Sequence, residues 1–184
     1  MTTTTLAAEL TAGTWVADAS HSEAGFTVRH AGISKVRGSV AVTEATITIG
    51  DDFATSAVTA HLDASSIDTR DANRDKHLKS ADFFDVEHYP TWTFISTSVS
   101  GAGTEAVITG DLTIHGVTRE VDLTTEFNGT ATDAYGNLRA GFSARTEISR
   151  KDFGLTWNVA LEAGGVMVGD KVTIDLDISA IKAS

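Results

Sequence analysis

The tightest constraint on this chain is a period of two. Val172, Ile174, Leu176, Ile178 and Ala180 alternate with Thr173, Asp175, Asp177 and Ser179, so a strand there presents one apolar and one polar face. The same alternation recurs over residues 24–30, 36–42, 58–62, 106–114, 119–127 and 140–148. After Val42 the apolar positions become odd-numbered at Ala45, Ile47 and Ile49, which predicts a bulge or turn near Glu44. Eight or nine strands with mostly short connections follow. A two-sheet sandwich and an eight-stranded antiparallel barrel both bury such faces, and a barrel of that size has a lumen wide enough for one slender ligand. Periodicity alone does not choose between them.

One stretch, residues 65–97, breaks the pattern. Asp71 or Asn73 can accept hydrogen bonds from the free amides of a first helical turn. A continuous helix between Asp71 and Phe84 sets Arg74, His77, Ala81 and Phe84 on one face. Pro90, the only proline, closes the segment, and Trp92 and Phe94 begin a new strand. The single interruption predicts a small helical insert covering one end or side of the β-structure. His115-Gly116 reads as a hairpin tip, and residues 128–137 as a longer loop. Asn128-Gly129-Thr130 reads as a turn within it rather than as a glycosylation acceptor.

The 184 residues fit one domain over 13–184, with residues 1–12 expected to be a disordered lead-in. A net charge of −11 argues against a nucleic-acid module, which needs a basic surface, and against polybasic attachment to anionic lipids. The absence of cysteine removes disulfides, a thiolate nucleophile and cysteine-bound zinc. No segment is apolar for long enough to form a membrane-spanning helix. The N-terminus lacks a basic region and a long apolar run, so the expected location is cytoplasmic.

Chemistry-bearing motifs are sparse. Ser20-His21-Ser22 lacks the strand-to-helix context of a nucleophile elbow, and Gly164-Gly165 lacks the Lys-Ser/Thr of a phosphate loop. His21, His30, His61, His77, His88 and His115 show no metal-ligand spacing. No catalytic residue, metal or cofactor is therefore expected. His30 shares a face with Phe26 and Val28 and reads as a core histidine, whereas His61 and His115 read as solvated. Arg74 and His77 fit either a structural ion pair and carbonyl cap or a ligand contact. Each large aromatic taken singly is core. If the lumen is hollow, Phe26, Phe84, Trp92, Phe94, Leu112, Phe142 and Phe153 supply its lining.

Four stretches in order resemble one family. Residues 15–30, WVADASHSEAGFTVRH, resemble its opening tryptophan, His-Ser pair and Phe-x-Val-x-His strand. Residues 66–97 resemble its Ser-Ile-x-Thr, Arg-Asp-x-His-Leu, Asp-Phe-Phe-Asp and Tyr-Pro-x-x-x-Phe run. GDLTIHGVTREVDL, residues 110–123, resembles its hairpin, and residues 141–155 its Phe-x-Ala … Arg-x-Asp-Phe-Gly-Leu segment. The chain thus resembles the YceI-like family, lipocalin-like isoprenoid-binding proteins of bacteria. The resemblance implies an all-β fold, an eight-stranded antiparallel lipocalin-like barrel with one small helical insert and an elongated apolar tunnel. It also implies an isoprenoid-type lipid ligand, such as a polyprenyl diphosphate or quinone, and frequently a homodimer. It carries no catalytic residues.

A non-catalytic carrier or sequestering protein is the expectation. Its candidate ligand contacts are Phe26, His30, Arg74, His77, Phe84, Trp92, Phe94, Leu112, Phe142 and Phe153. Two alternatives stand beside it: an enzyme or enzyme accessory acting on such a lipid, with His77 or His30 as acid/base, and a stress-associated interaction protein with a filled core.

Overall fold

The computed structural model describes residues 6–184, and the first five residues of the expected lead-in lie outside it. Nine strands and one helix follow in the order β1 (Gly13–Ala17), β2 (Glu23–His30), β3 (Ser34–Ile49), β4 (Ala57–Asp68), α1 (Ala72–Lys79), β5 (Thr91–Ala102), β6 (Glu105–Ile114), β7 (Val117–Thr132), β8 (Leu138–Ser149) and β9 (Val168–Lys182). All strand pairings are antiparallel, and neighbours run β3-β2-β9-β8-β7-β6-β5-β4 before β4 returns to β3. Eight strand positions therefore close into a barrel, which removes the open edges a sandwich would keep. β1 and β2 share one of those positions. β2 lies between the first part of β3 and the first part of β9; β1 lies between their far ends. A short 3₁₀ turn at Ala19–His21, capped by the Asp18 side chain, separates them.

The expected phase slip is present: the β3–β4 register shifts between Val42 and Glu44. His115 and Gly116 turn at the β6–β7 hairpin with φ of 55° and 71°. The long loop expected from Asn128 is shorter than predicted. β7 continues to Thr132 through a register shift between Phe127 and Gly129, and the connection is residues 133–137. Asn128-Gly129-Thr130 is thus a bulged strand rather than a turn; a Gly at φ 119° is what the sequence pattern had in common with both.

The two barrel ends differ. At one end Leu10, Trp15, Ile47, Ile49, Phe127, Ala140, Phe142 and Ala180 pack into a buried cluster. Lys182 stacks over the Trp15 ring at 5.6 Å, and Trp15 Nε1 donates to Thr11 O at 3.1 Å. Leu10 belongs to the expected lead-in, yet it is 7 % exposed inside this cluster. The other end carries the β2–β3 hairpin, α1 with the chain up to Pro90, the β6–β7 hairpin, and the connection 150–167.

Asp71 is the helix cap, accepting from Asn73 N and Arg74 N at 3.0 Å each. The helix is shorter than the sequence pattern predicts. It stops at Lys79, where Ser80 turns extended and its Oγ donates to His77 O at 2.6 Å. Phe84 therefore lies past the helix, and its amide donates back to Leu78 O at 2.9 Å. Ser80 thus caps the His77 carbonyl from just outside the helix.

Candidate ligand-binding lumen

The far end of the barrel is stoppered by the Trp15 cluster, and the space inside is not filled. A cavity of about 220 Å³ runs from the insert end toward the middle. On β9, Val172, Ile174, Leu176 and Ile178 all line it and are only partly buried, whereas Ala180, next on the same face, is sealed in the stopper at 0 % exposure. One strand thus passes from lumen wall to solid core within two residues. The remaining wall comes from β2 to β8, with Leu78, Phe83 and Phe84 from the insert and Leu155 from the connection before β9. Among the lining side chains only Thr146, Arg150 and the Trp92 indole carry a polar atom.

Close strand contacts shape that wall. Phe26 faces Gly38 across the β2–β3 register, and Phe94 reaches over Gly110 of β6. A β-carbon at either glycine would overlap the ring, so the glycines let two aromatics lie down against the sheet. Phe84 packs on Trp92 with ring centroids 4.7 Å apart, closing the wall under the insert.

Five of the ten sequence-predicted contacts line the cavity: Phe26, Phe84, Trp92, Phe94 and Leu112. The other five stand elsewhere, each for a physical reason. Phe142 belongs to the stopper, 5.7 Å from Phe127. Phe153 is 1 % exposed and packs behind the wall with Val40, Ala64, Ile67 and Ile114. His30 ends β2 at the hairpin and is exposed, because the alternation that put it beside Val28 runs out where a register shift separates them. That corrects its reading as a core histidine.

Arg74 fastens the helix to the strand before it. Its Nε donates to Thr69 Oγ1 at 2.7 Å and its Nη2 to Thr69 O at 2.8 Å. Asp75 Oδ1 accepts from Thr69 N at 2.8 Å and from Thr69 Oγ1 at 2.6 Å. His77 is paired with Asp82, Nε2 to Oδ2 at 2.8 Å, and meets Phe83 and Trp157 edge-on at 5.1 and 4.7 Å. Trp157 and Phe83 are themselves 5.2 Å apart, so this aromatic trio joins the insert to the connection before β9 across the open end. His115 is half-buried, not solvated, with Nδ1 3.2 Å from Phe153 O.

Arg150 is the charged lumen residue that the sequence reading leaves out. It is 4 % exposed, and its guanidinium donates to the carbonyls of Gly169, Leu155, Trp157 and Val168 at 2.9, 2.7, 3.0 and 3.3 Å. Burial lowers its pKa and the nearby Asp170 charge raises it, with burial the larger cause. The signal was available: Arg150 continues the even-numbered inward phase of Phe142, Ala144, Thr146 and Ile148. Its hydrogen bonds go to backbone, so it organises the turn after β8 and places a cation at the lumen wall. Among the described residues no cluster of three His, Cys, Asp or Glu stands close enough to hold a metal ion, and no helix is long and apolar enough to cross a membrane.

A family model described as the YceI-like domain matches residues 15–180. A UPF0312 protein of Staphylococcus aureus (strain MSSA476) is 39% identical over 161 residues, 86% of this chain and 91% of the relative. The crystal structure of Burkholderia cenocepacia BcnA superposes with a TM-score of 0.74 at 20% identity, covering 89% of this chain and 98% of that one. A Campylobacter jejuni YceI protein gives 0.67 at 27% identity, covering 85% and 90%. A polyisoprenoid binding domain from Saccharophagus degradans, implicated in plant cell wall breakdown, gives 0.67 at 14% identity, covering 94% and 100%. The BcnA and Saccharophagus superpositions speak to the fold alone.

Proposed function

The chain belongs to the YceI-like domain family, and from that premise we propose that it binds a long-chain isoprenoid-type lipid in its lumen, to carry or sequester it without chemical change. The observation that carries this reading is the lumen itself: closed at one end, walled almost entirely by hydrocarbon, and walled by side chains left partly uncovered. A polyprenyl diphosphate or a quinone-type lipid supplies the slender apolar body that such a space accepts. The polyisoprenoid binding domain from Saccharophagus degradans, which shares this fold, is named for a ligand of the same class. The filled-core alternative does not describe a barrel with this cavity. The enzyme alternative would draw on His30 or His77, neither of which stands on the lumen wall. Cytoplasmic residence and a homodimer belong to the same reading, tested by fractionation and by sedimentation.

The tail outranks the headgroup in this reading. Burying one five-carbon unit contributes roughly 3–4 kcal/mol before costs. A charge-assisted hydrogen bond to a headgroup contributes about 1.5–3 kcal/mol. Arg150 already donates to four carbonyls, and Arg74 is committed to Thr69. Mass spectrometry of an organic extract from freshly purified protein should reveal an isoprenoid lipid. Titrations with short and long prenols and their diphosphates should rank by length; a short diphosphate that outbinds a long neutral prenol defeats the tail argument.

A further inference from the structure

The geometry points to the insert end of the barrel as a docking surface for an anionic lipid bilayer, with the β2–β3 hairpin as its leading edge. The inference rests on the lipid-carrier reading, because a lipid insoluble in water must be collected from or delivered to a membrane.

Three observations meet at this end. The hairpin turns through Ala31 and Gly32 at φ 52° and 71° and lifts Ile33 to 86 % exposure. Beside it, the connection before β9 exposes Val159 and Val166, and is tied to the hairpin by Ala31 N donating to Met167 O at 2.7 Å. A β-branched apolar side chain at the tip of a two-strand projection does nothing for the core, and here three such side chains stand on two connected loops.

The second observation is charge. Arg29, Lys35 and Arg37 flank Ile33, all exposed, and no acid lies between Glu23 and Glu44. Taken together, the segments at this end, residues 29–37, 68–90, 115–119 and 149–171, hold eleven of the fourteen Lys and Arg and nine of the twenty-five Asp and Glu. They carry +2 while the rest of the chain carries −13. A bilayer with anionic headgroups would meet the end that matches it, and the acidic remainder would lie beyond the distance at which salt screens its repulsion.

The third observation is continuity. His30 pairs with Val168 across the β2–β9 register, and Val168 and Val28 both line the lumen. The exposed tip therefore stands directly on the cavity wall. With the opposite end stoppered, a lipid leaves the bilayer beside Ile33 and enters the lumen along Val28 and Val168.

Vesicle sedimentation tests this, using pure phosphatidylcholine vesicles and vesicles with a third phosphatidylglycerol. The wild-type chain should bind the anionic vesicles and release in high salt. Ile33→Ser should weaken that binding about tenfold or more, since it withdraws one buried aliphatic side chain. K35E/R37E should weaken it by about fivefold for each charge removed, and more for the reversal. Both variants, at exposed hairpin positions, should melt like the wild type and bind farnesol in vesicle-free solution with unchanged affinity. Farnesol binding without vesicle binding overturns the docking surface and leaves the carrier reading standing. Vesicle binding without farnesol binding overturns the carrier reading. Self-association that Ile33→Ser abolishes in the absence of vesicles assigns the patch to a second copy of the chain and overturns the bilayer proposal.

Discussion

Phe26 and Gly38 are register partners on β2 and β3, and the Phe26 ring fills the volume that a β-carbon on Gly38 would need. The Thr69 methyl would also stand 2.9 Å from that β-carbon, so the position is crowded from two side chains at once. Gly38→Ala should therefore push the ring into the lumen. The expected cost is about 1–3 kcal/mol of stability, typical of overpacking, together with a shorter optimum tail length in prenol titrations. Adding Phe26→Leu should restore both; restoration of stability alone would uncouple the ring from the lumen.

Phe142 looks inward by alternation but sits in the stopper. Phe142→Ala should lower stability by about 3–5 kcal/mol and leave lipid affinity unchanged in the folded fraction. Phe94→Ala, on the lumen wall, should change affinity beyond its effect on stability. Chemical denaturation paired with a binding titration at low denaturant separates the two.

Arg74 and Arg150 should part company. Arg74→Ala removes two hydrogen bonds to Thr69 at the barrel rim, an expected loss of about 1–2 kcal/mol with no effect on lipid affinity. Arg150→Met strands buried carbonyls at about 1–3 kcal/mol for each one left without a donor. Thermal melts of the two variants, with and without a bound prenol, check the contrast.

Acid should act on the stoppered end through Arg139 and its two carboxylate partners. Arg139 bridges Asp18 at 2.9 Å and Asp133 at 2.7 Å. Hydrogen bonds from Ser20, then Arg139 and His21, hold the Asp18 carboxyl far below the usual carboxylate range; for Asp133 the Arg139 bond is the leading cause. A carboxylate with a depressed folded pKa contributes stability that is complete above its unfolded value of about 3.9 and is lost as pH falls through the folded one. Arg139→Ala should thus raise the midpoint of acid unfolding, with Asp133 contributing more of the change than Asp18. An unchanged midpoint in a circular-dichroism acid titration would falsify the assignment.

The barrel was legible because alternation is a property of each strand, and even the bulge at Glu44 left a mark as a change of phase. Which inward residues face open space was not legible. Leu176 and Ala180 share a strand face and a pattern, yet one lines a cavity and the other a solid plug, a difference set by what arrives from β1 and residues 6–12. The helix length failed for a local reason, since Ser80 resembles an N-cap in sequence and terminates α1 in space. Arg150 is not legible because a guanidinium on an inward phase reads as the end of a strand, whereas two carbonyls of the following connection and two at the start of β9 accept its hydrogen bonds.

The pairing of β2 with β9 has a consequence for how the protein is made. These strands join residues 23–30 to residues 168–177, nearly the whole length of the chain. During synthesis β3 to β9 each emerge with a partner strand already made, but β1 and β2 keep one edge unpaired until β9 leaves the ribosome. Until then there is no closed wall and hence no compartment, only a curved sheet with its greasy face open to the cell. The lumen comes into being in a single late step, and a nascent chain stalled short of β9 is a client for chaperones instead of a container for lipid.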